Sequence, residues 1–248
     1  MAIVCGGSRG IGLEAARALL DVGWRVCVTG RRPETLDAAL AELSGAAGQA
    51  GEVLVRAGRA QDAEHQQDVV QAVLERWGRI DALVNNVATS PFLGPLLDAE
   101  PAHLERAWAT NVVTPWAWSK LVCESYLREH GGCIVNVASI GGTYPVPRVG
   151  VYNVTKAALI HLTKQLAREL APAVRVNAVA PATIKTDFAR AKYEGREAEV
   201  AAQYPLERLG TAPEVGEAIR LLCDNSLSWM TGQVMVLDGG ATLVQGVT

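Results

Sequence analysis

Hydrophobic and polar positions follow two alternating patterns along this chain. Short apolar runs rich in β-branched residues recur between longer segments whose apolar residues repeat every three or four positions. The short runs predict strands at Ala2–Cys5, Arg25–Thr29, Val53–Arg56, Ala82–Val84, Cys133–Val137, Arg175–Val179 and Gln233–Leu237. The longer segments predict helices at Leu13–Val22, Pro33–Leu43, Ala63–Trp77, Pro101–Glu129, Val151–Leu170 and Pro213–Cys223.

Alternation of strands and helices predicts an α/β fold, with a doubly wound parallel sheet of about seven strands and helices on both faces. The strand runs are almost continuously apolar, as expected when both faces of a sheet are covered. An Ala/Gly-rich patch at Leu43–Gly51 is interpreted as a loop. No linker is long enough to divide the chain, so residues 1–248 are expected to form a single domain.

Composition excludes several classes of protein. With 49% hydrophobic residues, the chain can bury a sizeable core, and its net charge of −3 with no basic stripe argues against a nucleic-acid partner. The apolar runs are broken by charge or glycine, and the N-terminus lacks a signal-peptide pattern, so no membrane segment is expected. Five cysteines and four histidines stand singly and predict neither disulfides nor a metal site. A cytoplasmic protein is expected.

The first predicted strand runs into a glycine-rich turn, Gly6-Gly7-Ser8-Arg9-Gly10-Ile11-Gly12, and a helix follows at once. Glycines let the backbone turn sharply and approach a pyrophosphate, while the helix N-terminus offers unpaired N–H groups to the anion. A merely tight turn is the alternative interpretation. The position of the cluster at the first strand–helix turn of an alternating chain favours a dinucleotide site.

The end of the second predicted strand indicates which dinucleotide binds. An acidic residue there would bond the ribose 2′-hydroxyl of NAD and repel a 2′-phosphate, but this chain has Thr29-Gly30-Arg31-Arg32. Arg31, together with Arg9 of the glycine turn, can offer hydrogen-bond donors to a phosphate. Solvated surface charges are the alternative, which is preferred for Arg32. The sequence therefore predicts NADP(H).

A second candidate site lies around Tyr152 and Lys156, which stand four residues apart and so share one face of a predicted helix. A free tyrosine titrates near ~10, and a neighbouring ammonium is predicted to lower the pKa of Tyr152 by favouring the phenolate. Tyr-x-x-x-Lys is common by chance, so context decides. Ser139 follows the Ile134–Val137 run and should lie at the carboxyl edge of the sheet, where ligands gather in doubly wound folds.

Across essentially its whole length, the chain resembles the short-chain dehydrogenase/reductase family. The resemblance is carried, in the family's order and approximate spacing, by Gly6-x-x-x-Gly10-Ile11-Gly12, Asn85-Asn86-Val87-Ala88, Asn111, Ser139, Tyr152-x-x-x-Lys156, Pro181-Ala182 and Asp238-Gly239-Gly240. It implies a Rossmann-like fold and hydride transfer between a nicotinamide cofactor and a carbonyl or secondary alcohol. It also implies a homotetramer, or alternatively a dimer.

The family's residue roles carry over as implications of that resemblance. Tyr152 would protonate the substrate oxygen, while Ser139 would polarise the carbonyl. Lys156 would hold the nicotinamide ribose and keep the phenol acidic, and Asn111 would support a water chain leading protons to Lys156. The cofactor would further be lined by Asn86, Ala88, Pro181, Ile184 and Thr186.

The chain departs from the family pattern at several positions. Cys5 replaces the usual threonine before the first glycine, and Ala88 and Ala182 add methyl groups beside the cofactor. The acid that normally meets the adenine after the third strand appears as Gly58, followed by Arg59. Arg59 is expected to stack on the adenine instead.

Three segments are expected to surround the substrate, namely Thr89–Leu97, Ile140–Val151 and Asp187–Tyr204. They supply the aromatic candidates Phe92, Tyr144, Phe188 and Tyr193. The Asp187–Tyr204 stretch is interpreted either as a mobile lid or as an ordinary surface helix. Relatives that use acyl carrier protein tend to carry basic residues where this chain has His130 and Ala173, which weakens that option. Trp116 and Trp118 are assigned to packing or to subunit contact.

The leading hypothesis is NADPH-dependent reduction of a ketone or 3-oxoacyl thioester, with a small-molecule carbonyl compound as substrate. A dehydrogenase that oxidises a secondary alcohol is the alternative enzyme. From a different class, the chain could be a catalytically silent dinucleotide sensor or scaffold. The intact set of Asn111, Ser139, Tyr152 and Lys156 argues against a sensor, which needs no proton donor.

Overall fold

The computed structural model describes residues 1–46 and 52–244. The strands are β1 (Ala2–Cys5), β2 (Arg25–Gly30), β3 (Glu52–Ala57), β4 (Ala82–Asn85), β5 (Gly132–Val137), β6 (Val174–Pro181), β7 (Ile184–Lys185), β8 (Gly210–Thr211) and β9 (Val234–Leu237). The α-helices are α1 (Gly10–Asp21), α2 (Pro33–Ala46), α3 (Ala63–Trp77), α4 (Pro101–Trp108), α5 (Thr114–Val122), α6 (Arg128–His130), α7 (Gly150–Leu170), α8 (Arg190–Tyr193), α9 (Glu197–Ala201), α10 (Ala212–Cys223) and α11 (Ala241–Val244).

Seven parallel strands form the main sheet in the order β3-β2-β1-β4-β5-β6-β9. The strand order reverses between β1 and β4, and in doubly wound sheets such a switch point opens a crevice at the carboxyl ends of the strands. This confirms the predicted single-domain, Rossmann-like α/β fold. No helix in the described ranges has the length and apolar character needed to cross a membrane.

Two hydrophobic clusters cover the two faces of the sheet, because successive strand residues point to opposite sides. Val4 packs with α1 and α10 on one face, whereas the adjacent Ile3 packs with α3 and α5 on the other. Trp118, which is fully buried, lies in the second cluster and donates its indole N–H to the Ala60 carbonyl at 3.0 Å. Trp118 is therefore a packing residue, while Trp116 is 46% exposed.

The structure corrects the loop interpretation of Leu43–Gly51. Helix α2 continues through Ala46, because Leu36, Ala39 and Leu43 recur at helical spacing and are all buried against the first cluster. Residues 47–51 lie outside the described residues.

The long helix predicted at Pro101–Glu129 is helical but contains two π-helical turns, Ala109–Val113 and Cys123–Leu127. Pro115 explains the first turn. It has no N–H to give to the Asn111 carbonyl four residues earlier, and the N–H of Thr114 instead reaches back five residues to the Ala109 carbonyl.

The hydrophobic pattern of the sequence did not predict the shortest elements. The two-residue strands β7 and β8 pair with each other outside the main sheet, and no periodicity can be measured over two residues. The Asp187–Tyr204 stretch forms α8 and α9, separated by Gly195 with a φ of +77°. The segment is thus built of short surface helices.

Candidate active site

The glycine turn between β1 and α1 is closed by backbone contacts that leave no room for side chains. The N–H of Gly7 donates to the Thr29 carbonyl at 3.0 Å, and Gly6 adopts a φ of +75°. A Cβ on Gly12 would lie 2.4 Å from the Gly6 carbonyl oxygen and 2.6 Å from Asn86 Nδ2. No side chain caps α1 at Arg9, so the N–H groups of its first turn are left for another acceptor, an arrangement that fits a pyrophosphate.

Groups from two other parts of the chain converge on this turn. Asn86, just past β4, donates its amide to the Gly6 carbonyl at 2.8 Å. Thr186, just past β7, packs so that a Cβ on Gly10 would lie 3.3 Å from its Cγ2. Ile184 and Pro181 are buried, and Ala88 is half-buried. The structure thus brings Asn86 and Thr186 against the glycine turn.

The arginines predicted to meet the 2′-phosphate lie at the surface. Arg9, Arg31 and Arg59 are all exposed. The Arg9 guanidinium lies 3.5 Å from the Asp187 carboxylate, which also pairs with Arg190. Arg9 is therefore held beside the segment that follows β7.

The structure gives a physical reason for the glycine at position 58. A Cβ on Gly58 would lie 2.2 Å from Nδ1 of His65, so the imidazole fills the space into which an acidic side chain would project. The sequence analysis did not identify Arg56, a charged residue that lies close to this position in the chain. Arg56, near the end of β3, is half-buried, donates to the Val55 carbonyl and lies 3.5 Å from the Asp68 carboxylate.

Tyr152 and Lys156 occupy the first turns of α7, at the carboxyl edge of β5. The Lys156 ammonium is buried and donates to the Val137 carbonyl at 2.6 Å, while its Nζ lies 5.5 Å from the centre of the Tyr152 ring. Burial lowers the pKa of Lys156 to about 7, because a charge withdrawn from water is disfavoured.

The predicted lowering of the Tyr152 pKa is wrong for this structure. Removal of the phenol from water raises its pKa to about 12, and the Ser139 hydroxyl opposes that rise only in part. Lys156 cannot reverse the shift, because the same desolvation favours its own neutral form. At neutral pH Tyr152 is therefore a protonated phenol.

Ser139 lies where the chain leaves β5 and enters a short 3₁₀ turn, Ile140–Gly142. Its Oγ accepts the Gly141 N–H at 3.2 Å, and its hydroxyl also hydrogen-bonds to the Tyr152 phenol. The turn packs tightly on α7, since a Cβ on Gly142 would lie 2.7 Å from the carbonyl carbon of Lys156. This contact fixes the serine next to the tyrosine.

Asn111 lies in the first π-helical turn and is fully buried. Its Oδ1 accepts the Thr89 N–H at 2.8 Å, and its Nδ2 donates to the Thr89 carbonyl at 2.9 Å and to Thr155 Oγ1 at 2.8 Å. The asparagine thus ties the loop after β4 to the helix that carries Tyr152. Sequence reasoning named Asn111 but neither threonine partner, since nothing in the residue pattern marks a pairing of this kind.

The predicted substrate residues are not all brought together. The Phe188 ring centre lies 6.1 Å from that of Tyr152, so Phe188 borders the candidate acid. The Tyr193 hydroxyl donates to the Thr186 carbonyl at 3.3 Å. Phe92 packs instead on His103, with ring centres 5.0 Å apart, and Tyr144 is 38% exposed.

Comparisons with known proteins agree with this arrangement. A family model described as enoyl-(acyl carrier protein) reductase matches residues 6–242. The dehydrogenase/reductase SDR family member 4 of Bos taurus is 35% identical over 244 residues, covering 97% of this chain and 86% of the relative.

Solved structures show the same fold. A short-chain type dehydrogenase/reductase from Mycobacterium ulcerans superposes with a TM-score of 0.92 at 30% identity, over 98% of this chain and 89% of that one. A variant of the actinorhodin polyketide ketoreductase, solved with NADPH, superposes with a TM-score of 0.90 at 31% identity, over 97% and 96% of the two chains.

Proposed function

The chain belongs to the short-chain dehydrogenase/reductase family of oxidoreductases, and we propose that it reduces a ketone or 3-oxoacyl thioester to the secondary alcohol with NADPH. The observation that carries the proposal is the grouping of Tyr152, Ser139 and the buried Lys156 at the crevice edge, with the Lys156 Nζ 5.5 Å from the centre of the Tyr152 ring. The NADPH-bound ketoreductase among the structural neighbours supports the choice of cofactor.

The residues around the glycine turn fit the cofactor. The uncapped first turn of α1 would receive the pyrophosphate, and Arg31 and Arg9 would pair with the 2′-phosphate. Arg9 would exchange its exposed contact with Asp187 for that phosphate, at little energetic cost because exposed ion pairs are weak. NADP(H) supplies the hydride when bound.

Residues of this chain would polarise the substrate carbonyl and transfer the proton to it. Ser139 would hydrogen-bond to the substrate carbonyl through its hydroxyl, which already faces the Tyr152 phenol, and so orient and polarise the carbonyl. Tyr152 would then transfer its phenolic proton to the developing alkoxide, as a general acid. Lys156, with a pKa near 7, can supply a proton to the phenolate that remains. Asn111, through its backbone carbonyl, which Pro115 leaves without its usual helical N–H partner, would support a water chain that recharges Lys156.

The protonation state favours reduction over oxidation. A dehydrogenase needs a phenolate to accept the alcohol proton, and a pKa raised to about 12 makes the phenolate scarce at neutral pH. A reductase needs the phenol itself, which is the dominant form. The same groups argue against a silent sensor, since a buried Lys–Tyr pair carries a desolvation cost that dinucleotide binding alone does not require.

The substrate is proposed to be a free carbonyl compound or a coenzyme A-type thioester, without a carrier protein. Phe188 offers an apolar wall beside Tyr152, and Leu93 and Leu97 are exposed in the loop after β4. His130 stacks on Tyr126, with ring centres 4.0 Å apart. A cytoplasmic homotetramer remains our proposal for the assembly, with Trp108 and Trp116 as exposed candidates for subunit contact.

The test is a substrate panel read by NADPH absorbance. The purified protein is mixed with NADPH and with aromatic ketones, cyclic ketones or 3-oxoacyl thioesters, beside the Tyr152→Phe variant. The variant should lose about 10²–10⁴-fold in turnover, the usual contribution of general acid catalysis, while NADPH affinity stays unchanged. NADPH left unconsumed by the wild-type protein with every substrate would contradict the proposal, as would a loss below about tenfold in a folded variant.

A further inference from the structure

A buried series of hydrogen bonds connects Thr89, in the loop after β4, to the backbone of Tyr152, the candidate acid. The Thr155 hydroxyl donates to the Tyr152 carbonyl at 2.7 Å and accepts from Asn111 Nδ2 at 2.8 Å. Asn111 also holds the backbone of Thr89, in the loop that follows Asn86 and Ala88. Thr155 itself is 2% exposed. Water therefore cannot replace either of its bonds.

The direction of every bond in this series is fixed. The Asn111 Oδ1 must face the Thr89 N–H, so both hydrogens of Nδ2 are committed to the Thr89 carbonyl and to Thr155. A flipped amide would set an oxygen against the Thr89 carbonyl. Since Thr155 receives the amide proton on its oxygen, its single hydroxyl proton goes to the Tyr152 carbonyl. Consecutive bonds that run in one direction polarise and strengthen one another.

We propose that Thr155 is a positioning residue of the reductase, which fixes the backbone of Tyr152 through Asn111 so that the phenol meets the substrate oxygen. This inference rests on the proposed function. The first turn of α7 is also held by the Lys156 bond to the Val137 carbonyl, by the Asn153 amide, which donates to the Val146 carbonyl at 2.8 Å, and by the packing of Gly142.

The same helix provides a matched control. Thr163 is also fully buried, accepts from an asparagine amide, that of Asn136, at 2.9 Å, and donates to a backbone carbonyl, that of Leu159, at 2.9 Å. It lies two turns further along α7, away from Tyr152. Replacing either threonine by valine removes a hydroxyl from the same kind of asparagine–threonine–carbonyl chain, so the loss of stability should be similar.

The experiment compares Thr155→Val, Thr155→Ser and Thr163→Val in turnover, KM, NADPH affinity by fluorescence titration, and melting temperature. Thr155→Val should lower kcat at least about tenfold, since small misplacements of reacting groups are costly, with KM and NADPH affinity within about twofold of wild type. Thr155→Ser keeps the hydroxyl and should restore kcat. Thr163→Val should melt as early as Thr155→Val yet keep a near-wild-type kcat.

Each outcome has one meaning. Equal kcat losses in the two valine variants, or no recovery with serine, would overturn the positioning role and leave the proposed reductase intact. A wild-type protein inactive on the whole carbonyl panel would overturn the proposed function, and the role of Thr155 with it. A kcat loss confined to Thr155→Val and recovered in Thr155→Ser supports both.

Discussion

Substitution of Gly12 by alanine tests the closed glycine turn directly. In most helices a Gly→Ala change stabilises, by up to about 1 kcal/mol, because alanine has the higher helix propensity. At Gly12 the added Cβ would lie 2.4 Å from the Gly6 carbonyl oxygen, 2.6 Å from Asn86 Nδ2 and 2.9 Å from Gly7 Cα. Two of these atoms belong to the backbone, so the turn must open.

Opening the turn breaks the bond between Asn86 and the Gly6 carbonyl, which is worth about 0.5–1.5 kcal/mol. Overpacking adds strain of about 1–3 kcal/mol. Set against the helix-propensity gain, the net loss of unfolding free energy is about 1–3 kcal/mol. For a chain of this size each kcal/mol shifts the melting temperature by about 2–4 °C, so a fall of several degrees is expected. NADPH affinity should fall at least about tenfold, because the distorted backbone is the surface that we propose receives the pyrophosphate.

Gly45→Ala supplies the control of opposite sign. Gly45 also lies in a helix, α2, but nothing stands within 4 Å of an added Cβ. Its melting temperature should stay level or rise slightly, with NADPH affinity unchanged. The reasoning is refuted if Gly12→Ala melts at or above the wild-type temperature and binds NADPH normally. The turn would then accommodate a Cβ at position 12, contrary to the contacts in the structure.

Two further predictions concern charge. Arg31→Ala should raise the NADPH dissociation constant at least about tenfold and leave the NADH dissociation constant nearly unchanged, as measured by fluorescence titration. Equal losses of affinity for the two cofactors would show that Arg31 does not bind the 2′-phosphate. In the folded protein the pKa of Lys156 is about 7, below its value in the unfolded chain. Above pH 7 the unfolded chain therefore binds a proton that the folded protein lacks, and this contribution to the free energy of unfolding rises with pH. Between about pH 7 and about 8, below the cysteine midpoint of ~8.5, the melting temperature of the wild type should climb relative to that of Lys156→Met; parallel curves would show that Lys156 does not titrate there.

The sequence predicts the fold well because both faces of the sheet are buried. Each strand must then be continuously apolar, and β1 and β5 are found where apolar runs predicted them. What sequence patterns miss has specific causes. Helix α2 extends past its predicted end because Leu43 is buried by tertiary packing, and β7 has only two residues.

The candidate site was predictable as a set of residues but not as a network. Glycine spacing identified the turn at Gly6–Gly12, and Tyr152 and Lys156 stand four residues apart in the chain. The partnership of Asn111 with Thr155 joins residues 44 positions apart, and the His65 ring fills the space beside Gly58 from another helix. Such contacts depend on how α-helices pack on the sheet, which a single sequence does not encode locally.

The Tyr152 pKa shows most clearly why sequence proximity is not enough. Lys156 can lower that pKa only while it carries a charge, and burial opposes the charge on both groups. An ammonium has three donors, and in the structure one is satisfied, by the Val137 carbonyl. The ribose hydroxyls of a bound cofactor and water near Asn111 would satisfy the others and stabilise the charged form. In this scheme a bound cofactor would bring the Tyr152 pKa back toward the ordinary tyrosine value of ~10, at which the phenol still carries the proton that it gives to the substrate at neutral pH.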